Sequence, residues 1–180
     1  MEIRGLIDET ERLLCEIEGY GTLSPDEKEL IRFFAVAWSL FEERCLERNG
    51  GMATISCLAE RSDWRAHGEE PVCRAFGYFY HRYFIDDEHE TRFHSLCFGR
   101  NNDPENDPAQ KLRKRLASLS KEESPTDPQI LEFVLLVIYR LRNNLLHGNK
   151  NDNISGQTDN FFHALSVINF CVEHNLRTSP

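Results

Sequence analysis

The sequence predicts an all-α protein, and three observations support that fold class. Apolar residues recur every three or four positions through most of the chain, which is the period of a helix packed on one side. Three helix starts are marked by a capping residue followed by proline, at Ser24-Pro25, Asp107-Pro108 and Asp127-Pro128. No segment has the pattern of a convincing β-strand. We therefore predict an up-down bundle of six to seven helices.

The predicted helices follow one another between recognisable start and stop signals. The first ends at Gly19 and Gly21, and the second begins at a capping box, Ser24 to Glu27. A later segment, VCRAFGYFYHRYFID, carries aromatic residues on most faces, which predicts burial on two sides. The acidic turn after it is expected to be solvated. The predicted helices span about 3–18, 25–47, 54–64, 71–85, 107–119, 127–147 and 159–176.

The composition indicates one globular domain. The chain has 180 residues, a hydrophobic share of 40% and 12 phenylalanines, which suits one sizeable core but not two. No secretion signal or membrane-spanning run is visible, and six cysteines are scattered without a Cys-x-x-Cys pair, so reduced thiols and a cytoplasmic location are expected. A formal net charge of −9 disfavours strong general binding of nucleic acid, so any RNA contact should be weak and local.

The most apolar stretch of the chain ends in polar and basic residues. From Ile130 to Ile138 only Glu132 is charged, and the run is shorter than the roughly 20 residues that a bilayer requires, so it predicts a helix buried on more than one side. Cations and Gly148 suit a helix C-terminus. Taken singly, these residues are as typical of a buried helix with a polar C-terminal end as of a functional site. The polar end consists of Arg140, Arg142, Asn143, Asn144, His147, Gly148 and Lys150.

The end of this helix resembles the signature of a known superfamily. Arg142-Asn143-Asn144-Leu145-Leu146-His147 is an Arg-polar-x-x-x-His pattern after a long apolar helix, similar to that of the HEPN domains of prokaryotic toxins and antiviral ribonucleases. The resemblance covers the helix from Pro25, the motif helix and the last helix. It implies a single HEPN-like domain over 1–180, in which residues 50–125 are a family-specific insertion.

The resemblance also implies a function. It is that of a metal-independent endoribonuclease in a toxin–antitoxin or antiphage system, with a composite site where two motif helices meet in a homodimer. His147 would move protons because histidine titrates near neutrality, and Arg142 would clamp the phosphate because a guanidinium stays charged. Asn143 would act as an orienting polar group. Neither a metal ion nor a cofactor is expected. The candidate substrate-binding residues are Arg140, Asn144 and Lys150, and a second basic patch consists of Lys111, Arg113, Lys114 and Arg115.

The spacing of the two catalytic candidates raises a geometric difficulty. His147 follows Arg142 by five positions, which on an ideal helix leaves the two side chains about 140° apart. Convergence needs an unwound last turn, a long reach by the arginine, or a second protomer. Apolar residues on the side of the helix away from its main stripe are expected to form the dimer seam. These are Phe133, Leu136 and Val137.

Several alternatives stay open at this point. Arg142 could be structural, buried and paired with a carboxylate of the helix from Pro25. The whole chain could be a non-catalytic HEPN-like module that binds a nucleotide or a partner protein. The aromatic segment could be a base-stacking platform. Asn149 stands where some HEPN toxins carry a tyrosine that an antitoxin modifies, so the regulatory or antitoxin partner implied by the resemblance would act by another route. His89 and His94 match no metal-ligand spacing.

Overall fold

The protein folds as a bundle of helices. The computed structural model describes residues 3–17, 19–67, 70–98, 107–146 and 154–174, and these ranges hold eight α-helices and no β-strand. The all-α prediction is confirmed, with more helices than the six to seven expected. They are α1 (Ile3–Leu14), α2 (Pro25–Cys45), α3 (Met52–Arg61), α4 (Glu70–Tyr80), α5 (His89–Phe98), α6 (Asp107–Leu119), α7 (Asp127–Leu146) and α8 (Thr158–Glu173).

The additional helix is α5, which follows the solvated acidic turn that the sequence suggests. Asp86 lies in this turn: its carboxylate accepts a hydrogen bond from the backbone N–H of Glu88 at 3.0 Å and pairs with Arg92 of α5 at 2.7 Å. Apolar residues are concentrated at the other end, where Leu96, Cys97 and Phe98 are buried. The solvated turn is confirmed over residues 86–88, but the helix after it was not predicted, because one charged half and one apolar half give little helical periodicity.

The starts of the two long helices agree closely with the prediction. At α2 the capping box is complete, because the Glu27 N–H donates to Ser24 Oγ at 3.3 Å and the Ser24 N–H donates to Glu27 Oε2 at 2.8 Å. At α7 the cap lies one residue earlier than expected: Thr126 takes that place, and its N–H donates to Gln129 Oε1 at 2.8 Å. Both helices therefore begin where the local sequence specifies.

Helix α7 forms the centre of the bundle. All nine residues from Ile130 to Ile138 are buried, as predicted for this run. Helices α3, α4, α5 and α6 pack around α7, while α8 packs against α2 and α4. No helix in the described ranges is long and apolar enough to cross a membrane. One hydrophobic core joins these helices, including four that lie within residues 50–125.

This packing excludes the predicted dimer seam along α7. Phe133, Leu136 and Val137 are all 0% exposed within a single chain. Phe133 packs against Phe76 and Phe84, with ring centroids 5.3 and 5.8 Å apart. The prediction was wrong because residues 50–125, whose arrangement the sequence did not reveal, cover the side that was expected to be open.

The aromatic segment of α4 serves as packing between α7 and α8. The rings of Phe76, Tyr80 and Phe84 stack in sequence, with centroids 5.7 and 5.9 Å apart, and each also contacts Phe133. Phe79 is fully buried. Burial on two sides is confirmed. A π-helical turn, His81–Ile85, continues this helix, with the Asp86 N–H bonded to the His81 carbonyl at 2.9 Å.

Helix α1 is attached to the bundle mainly through its polar side. Glu11 accepts a hydrogen bond from Lys28 at 2.9 Å and pairs with Arg32 of α2. The only large apolar residues at this end that pack on the core are Leu14 and Ile17 among those described. The apolar side of the first turns stays exposed. The residues concerned are Ile3, Leu6, Ile7 and Leu13.

Candidate functional site at the end of α7

The guanidinium of Arg142 lies between α7 and α2. Its Cζ is 5.9 Å from the ring centroid of Trp38, whose ring is buried in the core. This distance is within the range of a cation–π contact. The indole of Trp38 donates to Glu42 Oε2 at 3.1 Å, and the other oxygen of Glu42 accepts the N–H of Gly50 at 2.8 Å. The nearby carboxylate of α2 is therefore bonded to Trp38 and to the backbone.

Asn143 holds the same guanidinium from the next position. Nη1 of Arg142 donates to Oδ1 of Asn143 at 3.0 Å. Nε of Arg142 is buried and has no acceptor among the described residues, and no described carboxylate forms an ion pair with it. Arg142 is thus oriented by an amide and an aromatic face. Within the described ranges, the structural alternative of a salt bridge to α2 is not observed.

Arg140 and Asn144 lie together on another side of α7. Nε of Arg140 and Nδ2 of Asn144 both donate to the carbonyl of Leu96, at 2.9 and 3.0 Å. That carbonyl belongs to the last turn of α5, where helix carbonyls lack intrahelical donors. Burial lowers the pKa of Arg140 from its ordinary value. These two candidates for substrate binding therefore also join the ends of α5 and α7.

The site residues consequently form two separate pairs in the described part of the chain. Arg142 contacts Trp38 of α2 and is bonded to Asn143, whereas Arg140 and Asn144 are bonded to α5. Arg140 and Asn144 share a face because they are four positions apart, while Asn143 reaches Arg142 as its neighbour in the chain. His147 and Lys150, the remaining catalytic and substrate-binding candidates, lie outside the described residues, so their positions relative to Arg142 stay predictions.

The basic patch of α6 is divided by an ion pair. Arg115 donates through Nε to Glu132 Oε1 of α7 at 2.8 Å, and the hydroxyl of Ser56 donates to the same oxygen at 2.7 Å. Glu132 is 4% exposed, so its charge is compensated inside the bundle. Arg113 and Lys114 are exposed on the outer side of α6, and Arg113 also lies over the ring of Phe98.

Two of these contacts were not predicted from the sequence. Glu132 was visible as the single charge within an apolar run, and a buried carboxylate requires a donor, so a partner could have been sought in the basic helix. Nothing in the sequence indicated the contact of Trp38 with Arg142, because a tryptophan at helical spacing is expected in any helical core. In the described ranges, no group of three His, Cys, Asp or Glu side chains is arranged to hold a metal ion.

A polar cluster between α4 and α8 also escaped the sequence analysis. Asn160 is completely buried and donates to the hydroxyl of Tyr83 at 3.2 Å. The ring of His163 stacks on Tyr78 with centroids 4.4 Å apart, and burial lowers the pKa of His163 below its ordinary value of 6.5. Arg82, on the π-helical turn, donates to the carbonyl of Gly156 at 3.0 Å. These contacts join α4 to α8.

Comparison with known proteins adds no relative. No protein-family model matches the chain, and no curated protein or solved structure was found to be similar to it. The function must therefore be argued from the residues and their arrangement.

Proposed function

We propose that this protein is a metal-independent endoribonuclease of the HEPN type, acting as a homodimer under the control of a regulatory or antitoxin protein. The proposal is supported by the resemblance of Arg142 to His147 to the HEPN signature. The observation that carries it is the environment of Arg142. An arginine with a purely structural role would be expected to pair with a carboxylate, whereas this one is held by Asn143 and Trp38.

An arginine held in this way is suited to phosphate. Its charge is not neutralised by a described carboxylate, and its planar group offers several N–H donors in one plane. A buried N–H without an acceptor costs roughly 1–3 kcal/mol, a cost that an incoming phosphate oxygen would remove. Asn143 fixes the orientation through Nη1, which is the orienting role that the resemblance assigns to it.

The proposed reaction is a transesterification within the RNA strand. His147 removes the proton of the 2′-hydroxyl, and the 2′-oxygen forms a bond to the adjacent phosphorus. Arg142 neutralises the charge that develops on the phosphate oxygens. The bond from phosphorus to the 5′-oxygen breaks, and that oxygen takes up a proton. The products are a 2′,3′-cyclic phosphate and a 5′-hydroxyl, and DNA is not cleaved because it has no 2′-hydroxyl.

The burial of α7 limits where two motif helices can meet in this proposal. The run from Ile130 to Ile138 is covered by the chain's own helices, while the residues from Arg142 to Leu145 are half-buried. A composite site would therefore involve only the last turn of α7 and the residues after it. Arg113 and Lys114 on α6 offer a nearby exposed charge for the RNA backbone, since α6 packs on both α5 and α7.

The test is cleavage of transfer and messenger RNA by the purified protein in the presence of EDTA, with both new ends mapped. We expect cyclic phosphate ends, and a rate lowered on the order of 10²–10⁴-fold by His147→Ala. Arg142→Ala should lower the rate while leaving the melting temperature nearly unchanged. Arg74→Ala, which removes an exposed arginine of α4 outside the proposed RNA-binding surface, is the matched control and should retain most of the activity.

Three results would contradict the proposal. Activity that disappears on chelation and returns with magnesium would exclude the metal-independent mechanism. Arg142→Ala that melts many degrees lower, with activity in proportion to the folded fraction, would make Arg142 structural. The third result is that no RNA is cleaved and that His147→Ala has the same melting temperature as the wild type. This result would favour the non-catalytic module that binds a nucleotide or a partner protein.

A further inference from the structure

A cavity at the junction of α2 and α3 is lined by two cysteines. Its volume is about 270 Å³, much larger than the roughly 30 Å³ that a water molecule occupies in the liquid. Cys45, the last residue of α2, lies in its wall and is 2% exposed, while Cys57 of α3 is half-buried. Glu47 and Arg61 contribute one charge of each sign to the lining. The cavity therefore joins two thiols in surroundings without a net charge, which suit a small uncharged reagent.

The turn between α2 and α3 brings Cys57 back beside the end of α2. Glu47 and Arg48 adopt left-handed backbone conformations, with φ of 51° and 63°, and reverse the direction of the chain directly after the helix. The turn is also bonded to α2, because the Glu42 carbonyl accepts the N–H of Arg48 at 2.9 Å and the Glu42 carboxylate accepts the N–H of Gly50 at 2.8 Å. A short, bonded turn therefore places the two thiols at one cavity.

A third thiol lies close to Cys45 but does not line the cavity. Sγ of Cys45 donates to the carbonyl of Cys171 in α8 at 3.6 Å, and a thiol is only a weak donor. Cys171 is 0% exposed, and burial raises the pKa of its thiol well above the ordinary value. A thiol that keeps its proton is a poor nucleophile. Cys57, which is half-buried at the cavity, is therefore the better reaction partner for Cys45.

We propose that this cavity is a site of thiol oxidation, at which Cys57 reacts with a peroxide and Cys45 then closes a disulfide between α3 and α2. Hydrogen peroxide transfers one oxygen to the Cys57 sulfur, which becomes a sulfenic acid, and water is released. The Cys45 thiolate attacks that sulfur, and the S–O bond breaks. The departing hydroxide takes up the proton that Cys45 lost and leaves as a second water. Two thiols and one peroxide thus give one disulfide and two waters.

The first experiment treats the full chain with hydrogen peroxide, blocks the remaining thiols with iodoacetamide, and maps the unreduced peptides by mass spectrometry. We expect a peptide that carries Cys45 linked to one that carries Cys57, at the mass of one chain on a non-reducing gel. Two of the six thiols should be lost, and dithiothreitol should restore both. A Cys57 that is not linked to Cys45 after treatment, or a bond between Cys45 and Cys171 in its place, would overturn the proposal.

The second experiment tests the order of the two thiols with dimedone, which labels sulfenic acids. Cys45→Ser removes the attacking thiol, so label should accumulate on Cys57; Cys45→Ala serves the same purpose if serine is not tolerated at this buried position. Cys15→Ser removes an exposed cysteine near the end of α1 and should keep the full yield of the link. Label on Cys45 in Cys57→Ser, with none on Cys57 in the Cys45 variants, would rule out this order. No step involves RNA or a second chain, so the outcome is independent of cleavage and dimerisation.

Discussion

Helices α2 and α7 are of similar length and differ in what covers them. Helix α7 has a continuous apolar run, and its own chain surrounds all of it from Ile130 to Ile138. Helix α2 has two separate apolar stripes: its own chain covers the one that faces α8, whereas the outer stripe, with Phe33, Val36 and Leu40, is exposed. The more apolar helix would be the natural choice for a dimer contact, yet its side chains are unavailable. Overall hydrophobicity therefore indicates how much of a helix is buried, but not which surface remains for a partner.

The charged residues of the two helices show the same difference. Glu132 on α7 is buried and receives donors from Arg115 and Ser56, whereas Glu29 and Arg44 on α2 are exposed. A buried carboxylate must be compensated within the chain, while an exposed charge can contribute to specificity for a partner.

The largest expected difference in the free energy of unfolding is between alanine variants of two phenylalanines. Phe133→Ala on α7 removes a fully buried ring and should lower the free energy of unfolding by about 3–5 kcal/mol. Phe33→Ala on α2 removes a ring that is 57% exposed and should change it by less than about 0.5 kcal/mol in the monomer. Urea denaturation at a concentration that keeps the chains monomeric measures both. Similar losses for the two variants would contradict the described division between covered and open faces.

The next comparison concerns the ion pairs of the two helices. Arg115→Ala leaves the carboxylate of Glu132 buried without its main partner, and should cost about 3 kcal/mol. Arg32→Ala on α2 removes a partner of Glu11 at the surface, where solvent screens the two charges, so its free energy of unfolding should stay close to that of the wild type. Thermal and urea unfolding of the two variants give the difference. If Arg115→Ala is as stable as Arg32→Ala, burial of the Glu132 carboxylate does not require its ion pair with Arg115.

A smaller effect is expected at the polar end of α7. Arg140→Ala should cost about 1 kcal/mol, because Asn144 still donates to the carbonyl of Leu96. Arg140→Ala combined with Asn144→Ala removes both donors, so the double variant should lose more than the sum of the single losses, by about 0.5 kcal/mol or more. A double-mutant cycle from urea titrations measures this coupling. Additive losses would indicate that the two side chains do not share this acceptor.

The smallest expected effect on stability lies at the contact between α8 and α4. Helix α8 is also the helix that covers the inner side of α2. Burial lowers the pKa of His163, so the folded chain holds it neutral while the unfolded chain takes up a proton as the pH falls below about 6.5. The free energy of unfolding should therefore decrease below that pH, until the folded pKa is passed. His163→Phe keeps a ring against Tyr78 and should reduce the decrease between about pH 5 and 8. His81→Phe, at an exposed position, is the control and should keep the wild-type slope.

The sequence predicted the features that depend on neighbouring residues. The starts of α2 and α7 follow from Ser24 and from the polar residues before Pro128, since caps are satisfied within one turn. Burial of the run from Ile130 to Ile138 follows from its lack of a polar side. Helix α5 was missed because its charged and apolar halves do not alternate. The motif residues Arg142 and Asn143 could be named, but not the contact of Arg142 with Trp38.

The sequence by itself thus determined the all-α class, most helix positions and the set of candidate site residues. The tertiary structure decided that helices from 50–125 cover α7, that the site candidates divide between α2 and α5, and that the outer stripe of α2 stays exposed. The physical reason is the range of the interactions. Capping and helical periodicity act over three or four residues. The covering of an apolar face depends instead on helices that are distant in the chain, and no local pattern predicts which of several apolar faces they will pack against.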